Sequence, residues 1–312
     1  MSLQAIKAIG LMKRMTDQQP LYYGRPMSKE ASLTNKDLIQ VLSELEHHTT
    51  NSRGSAPAKE IDKAARLVRS SGLATLKNSV ALLDCGTTNS IELALLVLPV
   101  ESNKNSNEVF EILTKYADHE NWEIREYAGE MIGEFLRYHF SDYKKRLIHL
   151  RGSDSENIRR AVVIGLKYLG KYRELSLSQE ILEILKLYMD DVSNYVKKNL
   201  GPFAIGDAMI DYDPSRTLAF LKEHASDDNP TVRWNVASAF STAAGAKHHD
   251  MGFELLRELV RDNDKSVRQA ALNSFKNLYK RNVPKHAAIK KFLLSVMEDT
   301  RLPQKYFGFL ES

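Results

Sequence analysis

The chain has one cysteine, Cys85, among its 312 residues. That excludes an intramolecular disulfide and any zinc site built on several cysteines. A lone thiol also suits a reducing compartment. Long hydrophobic runs are missing too. The longest, Ile91 to Val100, is about half a membrane span and contains Glu92. The segment Met1 to Met15 has no apolar stretch of the kind a secretory signal needs. A cytoplasmic protein that neither spans nor binds a membrane is therefore expected. There is no G-x-x-x-x-G-K-[ST], no G-x-G-x-x-G and no H-E-x-x-H, so no motif points to a nucleotide cofactor or a helix-borne zinc site. No cofactor and no metal are expected. His47-His48 and His248-His249 are adjacent pairs that cannot share a helix face, and they read as surface histidines. No segment alternates at period two for long enough to be a strand. Neither charge sign dominates: 44 basic against 40 acidic residues leave a net +4, a weak pointer to a polyanionic partner.

Helical patterns are abundant. Asn35 can cap a helix over Lys36 to His47. Thr49 to Pro57 is a polar loop. Further helices are expected over Ala58 to Ser70, Leu73 to Leu83 and Ser90 to Leu98, the last closed by Pro99. Cys85, near the end of an apolar helix, is expected in the core. Glu101 to Asn107 reads as a connector. Residues 1–34, with Pro20, Gly24 and Pro26, read as an arm with a short helix near Leu3 to Met15, and residues 301–312 as a tail.

Beyond residue 109 the chain repeats itself. An apolar anchor followed by a basic residue recurs as Ile124-Arg125, Ile158-Arg159, Val196-Lys197, Val232-Arg233 and Val267-Arg268, at intervals of 34, 38, 36 and 35 residues. The residue four after each anchor is apolar: Ala128, Val162, Leu200, Val236 and Ala271. Anchor and follower therefore share one buried face. In the last three units an aspartate stands five before the anchor, Asp191, Asp227 and Asp262. It can cap the helix or bond the turn before it. Outer helices are expected over Val109 to Tyr116, Tyr143 to Leu150, Ser178 to Tyr188, Ser215 to His224 and Met251 to Val260, with a weaker sixth unit at Lys285 to Met297. A helix pair with two apolar faces must stack on its neighbours. The expectation is an all-α, right-handed α-solenoid of HEAT-like, armadillo-like repeats over residues 35–300, clearest over 109–280.

Such an array lines its concave side with the second helix of each pair. Two after each anchor stand Glu126, Arg160, Lys198, Trp234 and Gln269; beside them run Arg125, Arg159, Lys197, Arg233 and Arg268. As a groove set, the basic residues and Trp234 suit a nucleic-acid backbone. Alternatively, the residues right after the anchors form ion pairs within the array. Trp122 and Glu126, four apart, share a helix face. A carboxylate beside an indole can stabilise the cationic sugar of a breaking glycosidic bond, or the two are a packed tryptophan near a surface glutamate.

The stretches "NWEIREYAGEMIGEF", "DSENIRRAVVIGLKYLG" and "DDVSNYVKKNLGPFAIGDAMIDYDPSRTLAFLKEH", within Asn121 to His224, resemble the DNA alkylation repair (AlkD-like) superfamily. The resemblance implies HEAT-like repeats and a glycosylase releasing 3-methyl- and 7-methylpurines. It places Trp122 at the family's first groove tryptophan, Glu126 at its acidic position, where an aspartate is usual, and Arg160 at its arginine. The fourth position departs: Pro202, not tryptophan, follows Gly201. A proline there removes a backbone donor and should bend the helix. Double-stranded DNA is the implied partner of a monomeric protein, with Trp122, Glu126 and Arg160 as catalytic candidates. The competing expectation is a non-catalytic scaffold that binds other proteins.

Overall fold

The computed structural model describes residues 35–50, 54–173, 175–281, 285–297 and 302–310. The arm and the short helix expected near Leu3 to Met15 lie outside these residues. The described residues contain helices and turns and no strand. None of their helices is long and apolar enough to cross a membrane.

The chain divides into two compact units, the first ending at Val109 and the second starting at Phe110. The first holds α1 (Asn35–His47), α2 (Ala58–Ser70), α3 (Leu76–Cys85) and α4 (Thr88–Val97). Thr75 and Thr87 cap α3 and α4 by accepting from Asn78 N and Ser90 N, which satisfies amides that the first helical turn leaves free. Helix α4 is buried from Asn89 to Val97 and is apolar on all sides from Leu93 onwards, as a helix enclosed by others must be. Ile61, Ala65 and Val68 of α2 form one buried stripe in the same unit. Cys85 corrects an expectation: it is exposed at the last turn of α3, since the buried face of that helix runs through Ser79 and Leu82 instead. Residues 101–107, expected as a connector, are mostly helical: α5 (Ser102–Tyr116) starts at once after a 3-10 turn and kinks at Asn105.

The second unit continues with α6 (Trp122–Leu150), α7 (Glu156–Gly170), α8 (Ser178–Lys186), α9 (Asn194–Asn199), α10 (Pro214–His224), α11 (Pro230–Ala239), α12 (Ala243–Lys247), α13 (His249–Leu259), α14 (Lys265–Arg281) and α15 (His286–Val296). Helix α6 packs on α7, α7 on the segment after α9, that segment on α11, and α11 on α14. The fold is an α-solenoid of HEAT-like repeats. The anchors Ile124, Val196 and Val267 and the followers Ala128, Val162, Leu200, Val236 and Ala271 are all buried.

Two helices differ from expectation. Tyr143 to Leu150 is the end of the 29-residue α6, not a separate helix. No glycine or proline between Arg137 and Tyr143 interrupts the helical pattern. After α9 the backbone widens into a π-helix over Leu200–Met209. Pro202 lies inside it, has no N–H to donate to the preceding turn and crowds the carbonyl four residues back, so the widened pitch relieves both. Residues 302–310, read above as part of a tail, carry a 3-10 turn that buries Phe307, Phe309 and Leu310.

Candidate functional site

Each inner helix starts with the same turn. Three before the anchor, Asn121, Ser155, Ser193 and Asn229 cap α6, α7, α9 and α11. In the last unit Asp264 accepts from the Val267 amide. Five before the anchor, Asp191, Asp227 and Asp262 accept from the amide two residues on, at 2.7–2.9 Å. The aspartates thus brace the turn rather than cap the helix.

The arginine after the anchor closes that turn. Arg125 donates from Nη1 to the carbonyls of His119 and Glu120. Arg159 does the same to Ser153 and Asp154, Arg233 to Asp227 and Asp228, and Arg268 to Asp262 and Asn263. The remaining fork of Arg159 takes the Asp191 carboxylate at 2.7 and 3.3 Å, and that of Arg233 takes Asp262 at 2.6 and 2.9 Å. These are bidentate, charge-assisted bonds between adjacent repeats. Of the basic residues expected along a groove, Arg159 and Arg233 are therefore engaged in internal pairs, and Arg268 is buried. Lys198 is exposed. Lys197 holds its ammonium 4.7 Å from the centroid of the half-buried Trp234 ring, a cation–π contact. Gln269 donates to the Tyr306 hydroxyl at 2.8 Å.

The inner helices bring Glu126 and Arg160 together across α6 and α7. Their side chains form an ion pair, and the residues are 8% and 7% exposed. The helices approach closely here. A Cβ on Gly133 would meet that of Tyr168 at 2.5 Å, and one on Gly165 would meet Ile132 Cγ2 at 2.6 Å. Burial alone would push the Glu126 carboxyl up, but the charge of Arg160, then those of Lys167 and Lys171, outweigh it and hold it below the usual carboxylate range. Arg160 is held above its ordinary value in turn: burial works against its charge, and Glu126 overcomes that. Both members are therefore charged at neutral pH. Trp122, one turn before Glu126, is half-buried at the first position of α6.

Sequence reasoning missed the residues around this pair. Tyr195, on α9, lays its ring 4.6 Å from the Arg160 guanidinium and 5.6 Å from that of Arg125. Asn199, one turn on, places Oδ1 at 3.5 Å from Arg160 Nη2. Lys167, two turns from Arg160 on α7, is 2% exposed, and its ammonium has no hydrogen-bond partner. Burial pushes this amine down to about 8 against the opposing pull of Glu126. Tyr172 donates to Glu134, and Lys171 lies near Glu130 and Asp207. The only available signal was the four-residue spacing of Glu126, Glu130 and Glu134 opposite Arg160, Lys167 and Lys171, two stripes of opposite charge on adjacent helices. Among the described residues no cluster of histidine, cysteine or carboxylate side chains could hold a metal ion.

Among known proteins, no curated one matches the chain. Solved structures that share its helical-repeat character include a TOG domain of crescerin, 16% identical, with a TM-score of 0.43 over 69% of this chain and 88% of the other. Others are a condensin Cnd3-Cnd2 subcomplex of S. pombe, 17% identical, TM-score 0.42, over 88% and 40%, and a designed armadillo repeat protein, 15% identical, TM-score 0.33, over 64% and 97%. The family model described as "DNA alkylation repair enzyme" matches residues 58–240. That span is more than half the chain, and it extends the resemblance quoted from Asn121 to His224 back to the start of α2. With its helical repeats and the Glu126–Arg160 pair inside the matched span, the chain belongs to the DNA alkylation repair enzyme family.

Proposed function

We propose that the protein binds double-stranded DNA and releases cationic alkylpurines by cleaving the N-glycosidic bond. The observation that carries this reading is the ionised, nearly buried Glu126, fixed by Arg160 and one turn from Trp122. A 3- or 7-alkylated purine already carries positive charge, so it leaves with the bonding electron pair and needs no proton from the protein. The barrier lies in the sugar cation left behind. A carboxylate in a site largely closed to water stabilises that cation far more than it could in bulk solvent. Water then adds to C1′ and loses a proton, leaving an abasic deoxyribose. Arg160 keeps Glu126 ionised and oriented, Trp122 contacts the damaged nucleotide, and Lys197, Lys198 and Trp234 hold the backbone nearby. Release of methylated purines from alkylated DNA tests the reading. Wild type is expected to release them, and Glu126→Gln, which keeps the shape and loses the charge, is expected to fall by at least about a hundredfold.

A second reading, a protein-binding scaffold without catalysis, is favoured by two observations. Arg159 and Arg233 bind carboxylates of their own array and Pro202 stands where the family has an aromatic residue. Salt dependence separates the two. Phosphate binding should weaken by about 0.9 log units per log unit of salt for each contact, and protein docking through apolar surface should not.

A further inference from the structure

We infer that the Arg125 side chain, with the Tyr195 hydroxyl, forms a binding site for an oxyanion, and that a DNA phosphodiester beside the Glu126–Arg160 pair fills it. The inference rests on the proposed function for its ligand, and on a comparison of equivalent positions within the molecule for the site itself.

Arg125, Arg159, Arg233 and Arg268 occupy the same place in the inner helices α6, α7, α11 and α14, and each donates from Nη1 to two carbonyls of its own turn. Those bonds fix each guanidinium in the same way and leave Nε and Nη2 facing away from the turn. In two of the four units that fork holds a carboxylate, Asp191 for Arg159 and Asp262 for Arg233, with bonds between 2.6 and 3.3 Å, while Arg268, in the last of these units, is buried. The repeat pattern puts Ser153 where Arg125 would find its carboxylate. There Nε and Nη2 reach only the Tyr195 phenol oxygen, both at 3.4 Å. A single neutral acceptor shared at that distance is a weak substitute for a bidentate carboxylate. Arg125 is thus a guanidinium preset for a planar oxyanion whose internal partner is missing.

Its position gives that vacancy a use. Arg125 lies three residues after Trp122 and directly before Glu126, so all three share one turn of α6. Tyr195 links the fork to the ion pair, since its ring also packs against Arg160. A phosphate held by Arg125 would take the phenol proton as a further hydrogen bond. It would set the register of a DNA strand relative to the Glu126 carboxylate. Arg159, with its fork filled by Asp191, offers no such contact.

The test compares Arg125→Gln, Arg125→Lys, Arg159→Gln and Ser153→Asp with wild type, using a short alkylation-free duplex and, separately, inorganic phosphate at fixed ionic strength. Relative to wild type, Arg125→Gln is expected to lower duplex affinity by about tenfold. It should also reduce the salt slope by about 0.9, the value of one contact. Arg125→Lys keeps the charge without the fork and should fall between. Arg159→Gln should leave the slope unchanged. Ser153→Asp supplies the missing carboxylate, so it should raise the melting temperature and weaken duplex binding together. If the duplex does not bind but inorganic phosphate does, and Arg125→Gln or Ser153→Asp abolishes that binding, the oxyanion site stands and the DNA reading falls. If neither probe responds to Arg125→Gln, Arg125→Lys and Ser153→Asp, all of them folded, the inference is overturned.

Discussion

Among the arginine–carboxylate pairs that join neighbouring repeats, two kinds differ in a way that separates architecture from function. The turn pairs, Arg159–Asp191 and Arg233–Asp262, recur with the repeat, sit at half-buried arginines and are tied to backbone carbonyls on one side. The inner pair, Glu126–Arg160, occurs once among the described residues, is nearly closed to solvent and is bordered by a tyrosine ring and a lysine without a hydrogen-bond partner. A periodic pair is explained by what every repeat needs, a fixed turn and a fixed neighbour. A singular buried pair is explained by neither. Burying two charges costs several kcal/mol each before their attraction repays it, and the same inner position elsewhere is held by Lys198, Trp234 and Gln269 without such a pair.

The largest expected effect belongs to the inner pair. Glu126→Ala leaves the Arg160 charge buried without a counter-ion and should destabilise the fold by about 3–5 kcal/mol, measured by denaturant unfolding. Glu126→Ala combined with Arg160→Met should recover most of that loss. A turn pair should cost less when broken, because its arginine keeps two carbonyl partners and can reach water. Asp191→Ala is expected to lose about 2–3 kcal/mol, including the turn hydrogen bond.

The turn pair also sets an acid limb. Burial alone would raise the Asp262 carboxyl, but Arg233 and the Asp264 amide hold it below its ordinary value. Its contribution is therefore present above the unfolded carboxyl's value and lost as pH falls through the folded one. Stability followed by thermal melting from pH 5 down to pH 2 should fall less steeply in Asp262→Asn than in wild type.

Lys167 inverts that sign. Folding depresses its amine to about 8 through burial, so its ammonium costs stability at every pH below about 8. That cost is relieved as pH rises from about 8 towards the ordinary lysine value. Lys167→Met is expected to be more stable than wild type by about 2 kcal/mol at pH 7, with the gap closing above pH 9. The smallest effect is expected at Tyr195→Phe, which removes only the weak phenol contacts to Arg125 and should cost about 0.5–1 kcal/mol.

The repeat was legible because packing writes itself into sequence at fixed steps: the anchors and their followers four residues on are apolar in every unit, and the chain buries all the followers and every anchor but the half-buried Ile158. The turn aspartates were legible as a pattern but open in role, since an aspartate near a helix start can cap or brace. Hydrogen-bond geometry decides for the brace. Glu126 and Arg160 were visible at matching places in successive repeats, but their pairing was not, since it depends on how closely α6 and α7 approach. Tyr195 was not, because it stands one before its anchor and meets Arg125 from two repeats away. Such a contact depends on the pitch of the stack, which no local pattern encodes. Lys167 was hidden for a related reason: nothing in a lysine's neighbours along the chain says that a facing helix will cover it. The length of α6 was missed because no proline or glycine marks where its two halves meet, and Cys85 because an apolar neighbourhood in sequence does not say which face is covered.

The most direct test of the link between the inner pair and function is base release from methylated duplex DNA. Wild type, Glu126→Gln and Asp191→Asn would be compared at equal folded fraction. The expected result is release of methylpurine by wild type and Asp191→Asn, and almost none by Glu126→Gln. Equal release by Glu126→Gln and wild type, or no release by any of the three, would contradict it.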